Sequence, residues 1–254
     1  MRGPAEGPPQ QDRARCGGRL ASDAMSAMVR LEEVEEARTR AATALRDGLL
    51  VVLPTDSVYA LVADAFSRTA TQQLFGAKRR GRTVPLPVLI RSPRQTTGLV
   101  EDIPEEAERL MASYWPGLLT LVFRAVEGLS WDIGDTQGTV ALRIPTDDFL
   151  LGLIADVGPL VATSANRQGD PVPQTAAAAR QQLGLTAALY VEAGERSGAR
   201  STIVDVSRGR VEVLSEGAVP SAHVDQVASG GVSWGVRPDD GTATPESEPV
   251  AEPE

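Results

Sequence analysis

The chain has 254 residues, 42% hydrophobic and 23% charged, enough for one sizeable globular domain or two small ones. Its net charge of −9 is unevenly spread: Val232 to Glu254 sets one Arg against six carboxylates, while Ala65 to Val100 holds seven Lys and Arg residues and no acid. The single cysteine, Cys16, excludes an intrachain disulfide, and the single histidine, His223, excludes a Cys/His zinc cluster and offers a Ser-His-Asp triad only a residue near an irregular end.

Residues 1–27 are Gly-, Pro- and Arg-rich without periodicity and read as a disordered extension, or as an over-extended start with initiation at Met25 or Met28. Between Val29 and Leu45, apolar residues at Leu31, Val34, Ala37, Ala41 and Leu45 predict an amphipathic helix that Gly48 ends. Leu49 to Leu53 is apolar throughout and too short for a helix, so it reads as a strand covered on both faces. The break Pro54-Thr55-Asp56-Ser57 follows, then a strand Val58–Val62 and a short helix Thr69–Ala77 that runs into Lys78-Arg79-Arg80-Gly81-Arg82. Leu86 to Ile90 is a further strand. Ser92-Pro93 and Ile103-Pro104 mark helix starts, the second with Glu105, Glu106 and Glu108 at its N-terminal end, and Trp115-Pro116-Gly117 closes it.

Strands are predicted at Leu118–Phe123 and Thr139–Ile144, joined by the Gly/Asp-rich loop Glu127–Gly138. A helix capped by Thr146 runs to Val157, and a strand Pro159–Thr163 ends in Ser164-Ala165-Asn166. An Ala-rich helix, Gln174–Leu183, precedes strands at Ala188–Val191, Thr202–Val206 and Val211–Leu214. Strands often follow each other directly, which predicts an α/β fold on a mixed sheet. One domain is expected over 28–220, with a disordered acidic tail over 221–254. No run of about 18 apolar residues predicts a membrane span and no apolar leader is apparent, so the expected location is the cytoplasm, with no membrane partner.

Candidate chemistry concentrates in few places. In an extended turn Lys78 and Arg80 would point the same way, a point charge and a planar fork suited to a polyphosphate. The same residues also read as a solvated cationic loop, or as part of a basic face for a nucleic-acid backbone. Thr55-Asp56-Ser57, Thr163-Ser164-Ala165-Asn166 and Ser201-Thr202 are strand-adjacent hydroxyl clusters that can hold a small polar ligand, or simply form turns. Arg143, isolated among apolar residues, is either a stem-buried surface residue or a carboxylate clamp. No residue stands out as a nucleophile or base, and neither a Walker nor a Rossmann loop is present.

Taken in order, Pro54-Thr55-Asp56-Ser57-Val58-Tyr59, Lys78-x-Arg80 with Pro85-Leu86, Tyr114-Trp115-Pro116-Gly117, Val140-Ala141-Leu142-Arg143-Ile144-Pro145, Thr163-Ser164-Ala165-Asn166 and Ser201-Thr202-Ile203-Val204-Asp205 resemble the YrdC-like family of threonylcarbamoyl-AMP synthases over about Val29–Val219. The resemblance implies a single YrdC-like domain, a twisted mixed sheet with helices around a concave, positively charged cavity. It implies a nucleotidyltransferase that makes threonylcarbamoyl-AMP from L-threonine, bicarbonate (or carbon dioxide) and ATP. A partner enzyme then passes the threonylcarbamoyl group to tRNA. Carried over by position, Lys78, Arg80, Thr139 and Asn166 are the ATP contacts. Thr55, Ser57, Arg143, Ser164 and Ser201 form the threonine site, with Arg143 facing the carboxylate. Mg2+ would arrive on the triphosphate, and no protein metal site is expected. Departures from the family's usual pattern fall at Ala60, Arg79, Val84, Leu89 and Ser215. Those at Val84, Leu89 and Ser215 motivate a second expectation, a paralogue that carbamoylates another acceptor. The cationic face motivates a third, a non-catalytic module that binds double-stranded RNA or tRNA.

Overall fold

The computed structural model describes residues 27–231. Ten strands form one sheet in the order β1-β8-β2-β3-β7-β4-β6-β5-β9-β10. They are β1 (Ala27–Arg30), β2 (Val51–Pro54), β3 (Tyr59–Asp64), β4 (Val88–Leu89), β5 (Leu119–Arg124), β6 (Thr139–Arg143), β7 (Leu160–Ser164), β8 (Leu189–Glu192), β9 (Thr202–Asp205) and β10 (Glu212–Ser215). Six α-helices accompany them among the described residues: α1 (Val34–Arg46), α2 (Arg68–Lys78), α3 (Glu105–Tyr114), α4 (Asp148–Val157), α5 (Ala176–Leu183) and α6 (Ser221–Ala228). The sheet is mixed, as expected. The pairs β1/β8, β8/β2, β4/β6 and β5/β9 are parallel, and β2/β3, β3/β7, β7/β4, β6/β5 and β9/β10 are antiparallel.

Alternation along each strand sends side chains to two faces, and the faces are covered unequally. One carries the larger core. Val52, Tyr59, Leu61, Val88, Leu119, Leu121, Phe123, Val140, Leu142 and Val204 pack there with residues of α2, α3, α5 and α6. On the other face, Val51, Leu53, Ala60, Val62, Leu89, Leu160 and Ala162 pack under α1 and α4. That second core has no member from β5, β6, β9 or β10. The same face of those strands presents Thr120, Val122, Arg124, Thr139, Ala141, Arg143, Ile203 and Asp205 instead. A half-covered sheet is what leaves backbone-anchored polar groups accessible.

Four expectations are corrected. The stretch read as one helix from Val29 divides: Ala27–Arg30 is an edge strand parallel to β8, and the helix starts at Val34. A partner some 160 residues away leaves no trace in local periodicity. Leu86–Ile90 yields only a two-residue strand, since Pro85 and Pro87 bring no N–H to a ladder. Helix α4 is capped by Asp147, whose carboxylate accepts from the Leu150 N–H at 2.9 Å, which leaves Thr146 for another use. The domain does not end at 220. In α6, Val224, Val227 and Ala228 are buried in the larger core, and Glu216 accepts from the Ser221 N–H at 2.9 Å at the start of that helix. The disorder expected for residues 1–26 and 232–254 lies outside the described residues.

Candidate functional site

The first centre forms where α2 ends beside the end of β7. Lys78 is the last residue of α2, and Arg79 turns the chain in the left-handed region at φ 51°. Lys78 and Arg80 therefore converge through a helix cap, and the extended-turn geometry expected from the sequence is corrected. Lys78 is buried, and its Nζ donates to the Ser164 carbonyl at 2.6 Å, to Asn166 Oδ1 at 2.8 Å and to Ser164 Oγ at 3.3 Å. Ser164 Oγ donates in turn to Asn166 Oδ1 at 2.6 Å, and Asn166 Nδ2 donates to the Asp170 carbonyl at 2.7 Å. Arg80 donates from Nε to the Val84 carbonyl at 3.0 Å and from one terminal nitrogen to the Pro85 carbonyl at 2.9 Å.

Both cations border a cavity of about 270 Å³, completed by Val84, Thr163, Ser164, Asn166, Gln168 and Gly169. All the protein acceptors named for them are neutral oxygens. Burial first, and then the charge of Arg80, lower the Lys78 ammonium to about 8. Burial likewise lowers the Arg80 guanidinium. Two partly or fully desolvated cations without a carboxylate partner among the described residues favour an entering anion strongly.

The second centre lies where the β2–β3 turn meets the end of β6. Thr55 Oγ1 accepts from the N–H groups of Ser57 and Val58, both at 3.1 Å, and donates to the Val58 carbonyl at 2.7 Å. That hydroxyl shapes the turn, while Ser57 Oγ lies 3.0 Å from it. Asp56 reaches outward. Its Oδ2 accepts from Arg143 at 2.5 Å, from the Thr146 N–H at 2.9 Å and from Thr146 Oγ1 at 3.0 Å. Arg143 Nε donates to the Gly117 carbonyl at 2.8 Å. Each side chain of the Arg143–Asp56 pair is only 9% exposed. Arg143 is thus an ion-paired, buried guanidinium, and not a stem lying along a surface strand.

Nearby, Thr120 Oγ1 donates to Ser201 Oγ at 2.9 Å. Gly217 backs Ser201: a Cβ there would stand 2.2 Å from the Arg200 carbonyl oxygen, so only glycine allows this approach. The Gly198 N–H donates to the Ser57 carbonyl at 2.7 Å, which brings the 194–200 loop over the turn.

The predicted residues therefore divide. Lys78, Arg80, Ser164 and Asn166 come together, and Ser57 and Arg143 meet through the Asp56 turn. Ser201 joins a separate hydroxyl pair with Thr120. Thr139 is at the far end of β6 from Arg143, where its Oγ1 donates to the Thr136 carbonyl at 2.7 Å. It borders a second cavity of about 220 Å³ with Arg124, Gln137, Asp205, Ser207 and Leu214 among its walls. Sequence reasoning left Asp56 and Thr120 without roles and read Thr146 only as a helix cap. Asp56 stood inside a quoted motif, but its partners lie 87 and 90 residues on.

The cationic run is not one surface. Lys78 and Arg80 turn inward, and Arg82 pairs with Asp132 and Asp135. Among the described residues, no group of three or more His, Cys, Asp or Glu residues could hold a metal ion, and no helix is long and apolar enough to cross a membrane.

Comparison with known proteins agrees over most of this fold. The Sua5/YciO/YrdC family, described as "Telomere recombination", matches residues 43–217. A Mycobacterium leprae protein, named provisionally as a threonylcarbamoyl-AMP synthase, is 41% identical over 210 residues, 79% of this chain and 96% of that protein. The Pyrococcus abyssi threonylcarbamoyl-AMP synthase is 36% identical over 199 residues, 77% of this chain but only 58% of the relative. The crystal structure of P. abyssi Sua5 complexed with L-threonine superposes with a TM-score of 0.71 at 33% identity and covers 80% of this chain and 60% of Sua5. Escherichia coli YciO shares the fold at a TM-score of 0.70, with 19% identity over 77% of this chain and 98% of YciO. The chain belongs to the Sua5/YciO/YrdC family.

Proposed function

We propose that the protein is an L-threonylcarbamoyladenylate synthase, a nucleotidyltransferase that makes threonylcarbamoyl-AMP from L-threonine, bicarbonate or carbon dioxide, and ATP. The observation that carries this reading is the division of positive charge. Lys78 and Arg80 face a cavity with only neutral protein acceptors, and Arg143 sits in a separate, ion-paired centre. The relatives named for this activity and the threonine complex of Sua5 support it.

In this reading Lys78 and Arg80 hold the phosphates, with Asn166 and Thr139 as further ATP contacts. In this reading the charge of the cavity beside β7 comes from Lys78 and Arg80. Arg143 faces the threonine carboxylate, and Ser57, Ser164, Ser201 and Thr55 complete that site. The threonine amine attacks the carbon of the carbonate species, and a carbamate oxygen then attacks the α-phosphorus as pyrophosphate leaves. With bicarbonate, one water is also released. Such a step needs alignment and charge neutralisation more than a protein nucleophile. Mg2+ enters as part of the triphosphate substrate, whose site offers cations and amide or hydroxyl oxygens. A transfer enzyme of the cytoplasm then consumes the adenylate in tRNA modification.

The test is pyrophosphate release from ATP and bicarbonate with and without threonine. Threonine-dependent release at least tenfold above background is expected. Turnover with other amines at equal efficiency would favour the paralogue. Salt-sensitive RNA binding with no turnover would favour the RNA module.

A further inference from the structure

Arg143 is an unusual carboxylate clamp, because it already holds a carboxylate. Asp56 and Arg143 are buried to the same degree and meet at 2.5 Å. The Asp56 carboxylate is itself fixed by two donors of Thr146, and the Arg143 Nε by the Gly117 carbonyl. The guanidinium is thereby held at its Nε and at one terminal nitrogen. Its other terminal nitrogen has no protein acceptor among the described residues. Asp56 Oδ1 is buried and accepts no hydrogen bond from the described residues. The carboxylate is therefore not fully consumed by local structure.

Electrostatics gives this arrangement a consequence. A lone buried guanidinium attracts any small anion, including the phosphate groups that the Lys78 centre must capture. Pairing with Asp56 cancels the net charge of the Arg143 centre but leaves a directed N–H edge. Phosphate gains little there, while a zwitterionic α-amino acid can place its carboxylate on the edge without net charge mismatch. The two centres are then sorted by charge as well as by shape.

We propose that Asp56 is a positioning and specificity-determining residue, which orients Arg143 and restricts it to amino-acid carboxylates over inorganic anions. This inference rests on the reading of Arg143 as the contact for the threonine carboxylate.

The experiment uses the full chain and measures the KM for threonine, the KM for ATP, and inhibition by inorganic phosphate competitive with threonine. Asp56→Asn keeps an acceptor for Thr146 and removes the charge. The ratio of the phosphate inhibition constant to the threonine KM should fall at least tenfold, with the ATP KM within twofold of the parent. Asp56→Ala also releases the guanidinium, and there the threonine KM itself should rise about tenfold. A general folding defect lowers the active fraction and moves neither the ratio nor the KM values. If Asp56→Ala fails to fold, Asp56→Asn decides alone. A ratio within twofold of the parent in Asp56→Asn overturns the proposal. Arg143→Ala separates the two readings. An unchanged threonine KM in Arg143→Ala overturns the carboxylate assignment and this inference with it. A raised KM there beside an unchanged ratio in Asp56→Asn overturns the Asp56 role alone.

Discussion

Lys78 with the half-buried Arg80, and Arg143 with Asp56, are two cationic regions built on opposite electrostatic plans. The first surrounds its charges with neutral oxygens from Ser164, Asn166, Val84 and Pro85. The second meets its charge with a buried carboxylate. Burying a charge is costly in either case, but the cost is met differently. An uncompensated pair of cations recovers its desolvation cost when a polyanion enters. A compensated cation gives up that attraction and keeps direction. The comparison teaches that counting basic residues along the sequence says little about where an anion binds. What decides is whether each cation is already neutralised in the fold.

The largest expected effect attacks the first region. The double variant Lys78→Ala/Arg80→Ala removes both uncompensated charges, each worth about 1.5–3 kcal/mol as a charge-assisted contact. ATP affinity measured by calorimetry should fall at least a hundredfold, with threonine affinity retained. Arg143→Lys tests the second region. A lysine keeps the charge but cannot hold Asp56, Gly117 and a ligand carboxylate in one plane. The threonine KM should rise about tenfold with little change for ATP. An equal rise in both KM values would erase the distinction.

A smaller effect comes from pH. With its ammonium lowered to about 8, Lys78 is charged below that pH and loses its charge as pH rises through it. A bound polyphosphate favours the charged form. ATP affinity should therefore be greatest below about pH 8 and decline several-fold by about pH 9.5. Lys78→Arg should flatten that profile, and a decline that persists in the variant would assign it to another group. The smallest effect is expected at Thr120→Val, which removes the donor to Ser201. A two- to threefold rise in the threonine KM, roughly the loss of one neutral hydrogen bond, is expected without any change in the ATP response.

How much of this was legible in the chain depends on the range of the interaction. The strand at Leu49–Leu53 and the helix ending at Lys78 were read to within a few residues, because apolar runs and periodicity are local. Thr55 was legible as a turn former for the same reason. The edge strand β1 was not, since its identity comes from β8. Thr146 looked like a helix cap because threonine is a common one, but Asp147 takes that role and Thr146 donates to Asp56 instead. The continuation of the domain into α6 was missed because a short helix with three apolar contacts has little pattern of its own.

By itself, the sequence determined the alternation of elements, the mixed sheet, the exclusion of an intrachain disulfide and a Cys/His zinc cluster, and the motif order that marks the family. Those properties follow from residue type and short-range spacing. Only the tertiary structure decided which charges are compensated. It set Lys78 against Ser164 and Asn166, Arg143 against Asp56, and Thr139 apart at the other end of its strand. The reason is physical: the charge state of a site depends on partners separated by more than 80 residues, which are brought together only when the half-covered sheet has formed.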